Sequence, residues 1–352
     1  MVHDLSKITE FNVIDYYNNI LSIDENLAVP IAAVQSLTEC MARSSACTMQ
    51  ELIGILYKAI DQLKEGTSNL ISLTAGCELF LRFLTTQFSP NGSISFEDHK
   101  NLLVQHTLKF VNESRSTCVE KVANSASGFI EDGSTIMIHG YSRVVLHAIL
   151  RAFSPDQNPR KRFQVYVTES RPSELGLRTH AILTQHGISC VVVLDSAVAY
   201  AMGKVDLVMV GAEAVLEDGG LINYIGSYQM AIAAKAHNKP FYALTESYKF
   251  LRLFPLSQYD VPSSHPSLEF PQITQPDRSN SKSQTDEISM PSSSITKVSS
   301  SIIPKLTLEE IAKNNPTLDY TTPDLITLVI SDSGILTPPG VAEYLLSVFG
   351  GE

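Results

Sequence analysis

Apolar residues recur at helical spacing through the first third of the chain. Thr48 and Glu51 form a T-x-x-E pair typical of a helix start, and leucine and isoleucine then return every three or four residues. The segment 78–84 (ELFLRFL) is strongly apolar in the same way, and Ser95 opens another long stretch of this pattern. We therefore predict an α-helical N-terminal domain over residues 1–130.

The apolar pattern changes near residue 133, where short apolar runs begin to alternate with helical stretches. The predicted strands are Thr135–His139, Gln164–Thr168, Ser189–Leu194, Val205–Val210, Pro240–Leu244 and Leu325–Ser331. The predicted helices are Arg143–Ala152, Pro172–Gln185, Gly226–His237 and Gly340–Phe349. Such alternation is typical of right-handed βαβ units, so the fold class is α/β, with a Rossmann-like parallel-sheet domain over 131–352.

One segment breaks this alternation. Residues 262–304 are rich in serine and proline and contain few large apolar residues. Such a composition buries too little surface to offset the entropy lost on ordering. We predict a disordered insertion in the second domain, after which the fold resumes.

The amino-acid composition and the net charge exclude or disfavour several classes of protein. Hydrophobic residues make up 44% of the 352 residues, which excludes wholesale disorder, and the net charge of −11 disfavours general binding to nucleic acid or anionic membranes. No apolar run approaches the roughly 18–20 residues of a membrane span, and the N-terminus lacks signal-peptide features. The five cysteines include no CxxC pair, and the histidines lack metal-ligand spacing. We expect a cytosolic protein with reduced thiols and no metal site.

Polar residues follow the predicted strands at their carboxyl ends, where open parallel sheets bind ligands. The candidate ligand-binding residues are Gly140, Tyr141, Ser142, Arg143, Glu169, Arg171, Asp195, Glu213 and Asn223. Gly140 permits a tight turn, Ser142 can cap the next helix, and Arg143 and Arg171 can form a cationic clamp. An anion such as phosphate suits this set. The alternative, that these residues only cap helices, stays open at this point.

Several common catalytic motifs are absent from the sequence. It contains no GxGxxG dinucleotide fingerprint, no GxxxxGK[ST] phosphate loop and no GxSxG nucleophile elbow. Standard dinucleotide enzymes, phosphate-loop hydrolases and the usual α/β hydrolases are therefore disfavoured.

Long segments of the chain resemble a known family. They are 139–150 (HGYSRVVLHAIL), 165–176, 191–250, 253–262 and 318–338 (LDYTTPDLITLVISDSGILTP). Together they are similar to the alpha, beta and delta regulatory subunits of eukaryotic translation initiation factor 2B, and ELFLRF at 78–83 fits the alpha subunits best. The resemblance covers nearly the whole chain except the Ser/Pro-rich insertion.

The resemblance implies a non-catalytic regulatory subunit that requires no cofactor. The implied partners are a second copy of this chain, the beta, gamma, delta and epsilon subunits of initiation factor 2B, and initiation factor 2 with its phosphorylated alpha subunit. A homodimer of alpha subunits would bridge the complex and help to inhibit GDP/GTP exchange when phosphorylation is sensed. No direct contact with nucleic acid or membrane is implied.

The same family is related to sugar-phosphate isomerases that act on methylthioribose-1-phosphate and ribose-1,5-bisphosphate. The resemblance places their catalytic cysteine at Gly140, their aspartate at Glu213 and a substrate-binding lysine at Tyr224. Without the thiol we expect no catalysis, although the remaining residues could hold a sugar phosphate or a nucleoside monophosphate. An active isomerase and a metabolite sensor remain the alternative functions.

A second candidate surface follows the last long match. The segment 251–256 (LRLFPL) places Leu251, Leu253, Phe254 and Leu256 just before the insertion. A run so rich in large apolar residues belongs either to the core or to an interface. We predict that it takes part in the homodimer interface.

Overall fold

A computed structural model describes the protein over residues 11–24, 26–67, 69–87, 95–154, 161–262 and 315–349. The predicted Ser/Pro-rich insertion lies, from residue 263 onwards, outside the described residues. We call the helices between residues 13 and 127 the helical layer. They are α1 (Val13–Ile23), α2 (Val29–Arg43), α3 (Met49–Gly66), α4 (Leu70–Gln87), α5 (Phe96–Glu113), a π-helical turn (Ser114–Cys118) and α6 (Val119–Ser127).

Local sequence explains where these helices begin. Thr48 accepts a hydrogen bond from the Glu51 amide at 3.3 Å, as the T-x-x-E pair predicts. The return bond differs from that prediction, because the Glu51 carboxylate accepts from the amide of Cys47 (3.0 Å) and not from that of Thr48. Ser95 caps α5 by accepting from the amide of Asp98 at 3.2 Å. Each cap satisfies a backbone donor that a helix start leaves free.

Helix α2 packs closely against α4 at the base of the helical layer. A Cβ atom on Gly76 would lie 2.7 Å from Pro30 Cα, so only glycine allows this approach of the two helices. Large side chains such as Phe80, Leu37 and Leu52 fill the core around them and are fully buried.

The main sheet has seven strands in the order β11-β10-β7-β4-β1-β2-β3, and all neighbours are parallel except β10 and β11. Its strands are β1 (Thr135–His139), β2 (Gln164–Thr168), β3 (Ser189–Val193), β4 (Leu207–Val210), β7 (Phe241–Leu244), β10 (Leu328–Ser331) and β11 (Gly334–Leu336). Its helices are α7 (Arg143–Phe153), α8 (Leu175–Gln185), α9 (Val198–Met202), α10 (Ser227–Ala236) and α11 (Pro338–Phe349). The predicted fold class is confirmed.

A second, four-stranded sheet escapes the sequence prediction. Its order is β8-β5-β6-β9, formed by β5 (Ala214–Leu216), β6 (Leu221–Tyr224), β8 (Phe250–Leu251) and β9 (Leu318–Thr321). These strands have two to four residues and are mostly buried, so they show no alternation of apolar and polar positions. Ile71 and Ala75 of α4 pack into one apolar cluster with this sheet.

The helical layer and both sheets belong to one compact unit of residues 1–264 and 317–352. The predicted division into two domains at residue 130 stays a prediction. Among the described residues, no helix is long and apolar enough to cross a membrane.

Candidate functional site

A polar cavity of about 160 Å³ opens between the helical layer and the carboxyl ends of the main-sheet strands. It lies where parallel α/β sheets place their ligands; that it binds one stays a prediction. Its polar and charged lining residues are Asn69, Ser72, Tyr141, Ser142, Arg143, Glu213, Asn223, Tyr224, Glu246 and Lys249. Five of the nine predicted ligand residues are in this lining.

The turn after β1 is held by hydrogen bonds to a buried histidine. His139 Nε2 lies 2.9 Å from the Ile225 carbonyl and must donate to it, so Nδ1 accepts from Thr168 Oγ1 at 2.7 Å. Burial lowers the pKa of His139 and keeps the ring neutral. Gly140 follows with φ +54°, and a Cβ atom there would lie 2.9 Å from Ser170 Oγ. This backbone therefore disfavours any side chain at position 140.

Ser142 occupies the N-cap position of α7, but its side chain makes no cap hydrogen bond. The predicted capping role is therefore wrong. The Ser142 side chain instead packs against Gly211 after β4, where a Cβ atom would lie 2.6 Å from Ser142 Cβ. Glycine at 211 is what lets β1 and β4 end side by side at the cavity.

A buried ion cluster forms one wall of the cavity. Arg143 Nη2 lies 3.1 Å from Glu246 Oε1, which also accepts from the Tyr248 hydroxyl at 2.9 Å. Lys249 Nζ lies 3.1 Å from Glu246 Oε2. Burial alone would raise the pKa of Glu246, but the neighbouring Lys249 and Arg143 together hold that pKa below its ordinary value. The carboxylate is therefore charged at neutral pH.

Both cations of this cluster have further partners. Lys249 donates to the carbonyl of Ala212 at 2.8 Å. Arg143 donates to the carbonyl of Asn26, which immediately precedes the part of the helical layer that lines the cavity. The cluster thus connects the ends of β4 and β7 with the chain leading into α2.

Glu213, just before β5, also lines the cavity. Its Oε2 accepts from Asn69 Nδ2 at 2.8 Å and from the hydroxyl of Ser72. The nearby Glu213 charge, with burial second, raises the pKa of Tyr224, so that phenol stays protonated. Glu213 therefore contacts the helical layer directly.

Asn223 is buried and donates from Nδ2 to Ser227 Oγ at 2.9 Å. It pairs across the small sheet with Asp319, whose Oδ2 accepts from the amides of Gly226 (2.7 Å) and Tyr228 (3.0 Å) at the start of α10. Burial raises the pKa of Asp319 to about 7 despite these amide contacts.

Four predicted ligand residues lie outside the cavity lining: Gly140, Glu169, Arg171 and Asp195. Arg171 is 63% exposed and pairs with Glu169 (3.1 Å) and Glu174 (2.6 Å). Asp195 accepts from the amides of Ser170 and Arg171 and so shapes the turn after β2. The structure does not bring Arg171 and Arg143 to opposite sides of one cavity as the predicted clamp requires.

The cavity also contains residues that the sequence reasoning missed. Glu246 and Lys249 follow β7. Because Glu246 lies at the carboxyl end of that strand, the strand-end rule could have included it among the candidate residues. Asn69 and Ser72 come from α4 and its cap, which lie more than 140 residues before Glu213. No sequence pattern connects them with the sheet.

The arrangement offers no thiol nucleophile. Burial raises the pKa values of Cys77, Cys118 and Cys190 to about 12, so each thiol is protonated at neutral pH. No cluster of histidine, cysteine and carboxylate suited to a metal ion occurs among the described residues.

The predicted interface segment divides between core and surface. Leu251 is buried and Leu253 half-buried in the apolar cluster of the small sheet. Phe254 and Leu256 are 63% and 86% exposed, and the neighbouring Tyr259 is 96% exposed. The Asp260 carboxylate accepts from the amides that follow Pro255 and so orders this loop.

Comparison with known proteins gives consistent results. Residues 22–338 match the family model described as the Initiation factor 2 subunit family. The chain is 36% identical to translation initiation factor eIF2B subunit alpha of Dictyostelium discoideum, over 96% of each protein. It is 31% identical to the Caenorhabditis elegans protein of the same name, over 96% of this chain and 98% of that one. A more distant relative, ribose 1,5-bisphosphate isomerase of Pyrococcus furiosus, is 26% identical over 91% of this chain and 88% of the enzyme.

Solved structures share the fold. The translation initiation factor eIF-2B of Pyrococcus horikoshii OT3 aligns with a TM-score of 0.63 at 20% identity, over 94% of this chain and 98% of that one. A chain of the tetrameric eIF2B-beta2-delta2 complex from C. thermophilum aligns with a TM-score of 0.67 at 17% identity, over 96% and 94%.

Proposed function

Because the chain belongs to the Initiation factor 2 subunit family, we propose that it is an alpha-type regulatory subunit of the guanine-nucleotide exchange complex for translation initiation factor 2. One observation carries this proposal: the similarity to eIF2B alpha subunits extends over 96% of this chain and nearly all of each relative. A shared fold alone would not distinguish a subunit from an enzyme, whereas identity sustained over the whole length favours a shared role.

The proposed partners are a second copy of this chain, the other four kinds of subunit of the complex, and initiation factor 2 with its phosphorylated alpha subunit. The loop with Phe254, Leu256 and Tyr259 supports self-association, because it presents large apolar side chains from an ordered backbone. In this role the chain works in the cytosol, where it bridges the complex and lowers GDP/GTP exchange when initiation factor 2 is phosphorylated.

The proposed role is not enzymatic. We place the isomerase cysteine at Gly140, where glycine has no thiol and where the positive φ and the nearby Ser170 side chain disfavour a larger residue. Glu213 takes the place of the isomerase aspartate, but its carboxylate is engaged by Asn69 and Ser72. Neither position offers a group free to move a proton on a substrate.

A sugar-phosphate isomerase is the second candidate, favoured by the similarity to the Pyrococcus furiosus enzyme. It needs a proton-transfer group at position 140 that this chain lacks. An assay with ribose-1,5-bisphosphate separates the two candidates, since turnover by the purified chain would contradict the regulatory proposal.

The cavity is proposed to have kept a metabolite-binding role without catalysis. Arg143 and Lys249 supply positive charge, and a phosphate of a sugar phosphate or nucleoside monophosphate would share them with Glu246. Calorimetric titration of the purified chain with both ligand classes tests this role. Heat and a thermal shift at millimolar ligand support it, and their absence for both classes contradicts it.

Affinity purification of the tagged chain, followed by mass spectrometry, tests the regulatory proposal. Recovery of four other subunits in near-equal amounts together with initiation factor 2 supports it. Recovery of a lone homodimer contradicts it.

A further inference from the structure

The start of helix α4 makes its polar contacts with the sheet at Glu213, beside the apolar packing of Ile71 and Ala75. Glu213 Oε2 accepts both from Asn69 Nδ2 (2.8 Å) and from the Ser72 hydroxyl, which also lies 3.0 Å from the Glu213 carbonyl. Ser72 is 1% exposed, whereas Asn69 and Glu213 are half-buried at the cavity wall. Hydrogen bonds to an ionised acceptor are among the strong ones.

We propose that Glu213 is a latch that fastens the helical layer to the carboxyl edge of the main sheet, with Asn69 and Ser72 at the start of α4 as its catch. The latch closes one wall of the cavity. Release of the latch then precedes any widening of the cavity.

The geometry of α4 suits this role. Asn69 Oδ1 accepts from the amide of Ser72 at 3.2 Å, so Asn69 caps the helix with its oxygen and binds Glu213 with its nitrogen. The Glu213 carboxylate therefore lies at the N-terminus of an 18-residue helix, where the helix dipole favours negative charge.

The backbone on the sheet side of the latch has its own hydrogen bonds. The Glu213 amide donates to the Ile222 carbonyl at 2.9 Å, and the preceding carbonyl of Ala212 accepts from Lys249 at 2.8 Å. Residues 212 and 213 are thus bonded to β6 and to the turn after β7. A movement of α4 away from this backbone breaks the side-chain contacts with Glu213.

A second contact between the sheet and the helical layer is made by Arg143, which donates to the Asn26 carbonyl just before α2. The two contacts differ in how much their removal would disturb the buried residues around them. Arg143 belongs to the Glu246 ion cluster, and its removal would leave a buried charge unpaired. Within the described part of the chain, the Glu213 carboxylate accepts hydrogen bonds only from Asn69 and Ser72, so it can be neutralised with less effect on the sheet.

Hydrogen–deuterium exchange of the full chain tests the latch in Glu213→Gln and in Ser72→Ala, with Glu217→Gln as the matched control. Glu217 lies in the same small sheet region, is 36% exposed and has a long 3.7 Å contact with Arg252. We expect exchange in residues 69–76 to rise about tenfold in both latch variants and to stay unchanged in the control. Strand β1, inside the sheet, should stay protected.

If the single variants lose stability, the double variant Ser72→Ala/Glu213→Gln distinguishes loss of a shared contact from two independent effects. Both changes remove the contact between the Ser72 hydroxyl and the Glu213 carboxylate, so the latch requires that the double variant exchange more slowly in residues 69–76 than the two single effects added together predict. Fully additive effects would overturn the proposal. Unchanged exchange in residues 69–76, or a rise that is equal in α4 and β1, would also overturn it.

Discussion

Arg143 and Glu246 form a buried ion pair in which Nη2 and Oε1 are 3.1 Å apart, and the Glu246 side chain is 1% exposed. Removing the charge from such a pair leaves a buried cation without its partner. We expect Glu246→Gln to lower the free energy of unfolding by about 3 kcal/mol in urea denaturation.

The exposed pair of Lys109 and Glu113, 3.8 Å apart, supplies the control for this variant. Glu113→Gln should change the free energy of unfolding by less than about 0.5 kcal/mol. Equal losses for both variants would mean that the Glu246 cluster is no more important for stability than a surface contact.

A side chain at position 140 should lower stability more than one at Gly133. Gly140→Ala combines a positive φ of 54° with a Cβ atom 2.9 Å from Ser170 Oγ. Gly133 also has a positive φ (81°), but nothing lies within 4 Å of a Cβ atom there. We expect Gly133→Ala to cost about 1 kcal/mol and Gly140→Ala about 2–3 kcal/mol in thermal or urea unfolding. Equal costs for the two variants would show that the Ser170 side chain does not hinder a Cβ atom at position 140.

Asp319 should make stability depend on pH. Its pKa is about 7 in the folded chain against 3.8 for the ordinary group, so the folded state holds the proton more tightly. The stabilisation is complete below about pH 4 and is lost as the pH rises through 7. The free energy of unfolding of the wild type relative to Asp319→Asn should fall by on the order of 3 kcal/mol between pH 4 and pH 8. Parallel pH profiles of the two proteins would contradict this assignment.

The exposed loop after the small sheet should mediate self-association. Phe254→Asp introduces a charge into an exposed apolar segment and should convert a dimer into a monomer in light scattering. Tyr200→Asp is the control, because Tyr200 is 87% exposed but lies on α9. A folded Phe254→Asp variant that keeps the dimer mass would show that this loop is not the interface.

The main sheet could be predicted from the sequence because its strands are continuous apolar runs. The bounds of β1 and β2 match the predicted ones, while β4 begins at Leu207 rather than at the predicted Val205. The predicted helix Pro172–Gln185 begins only at Leu175. Strand ends and helix starts depend on turn geometry, which hydrophobic periodicity does not encode.

The candidate site was predicted only in part. The ends of β1 and β4 bring Arg143 and Glu213 to the cavity, because parallel strands end at one edge of the sheet, whereas Asn223 reaches the cavity from β6 of the small sheet. The contacts of Arg143 with Glu246 and of Glu213 with Ser72 depend on tertiary packing between distant segments. A list of polar residues at strand ends shows where a site lies, but it does not show which of those groups already have partners.

The proposed role of this chain is to make nucleotide exchange sensitive to phosphorylation without catalysing it. The direct measurement is GDP release from initiation factor 2, with and without phosphorylation of its alpha subunit, by the exchange complex prepared with this chain and without it. We predict that the complex lacking the chain still releases GDP from the unphosphorylated factor but is no longer inhibited by the phosphorylated one. Inhibition that persists without the chain would show that the chain does not have this role.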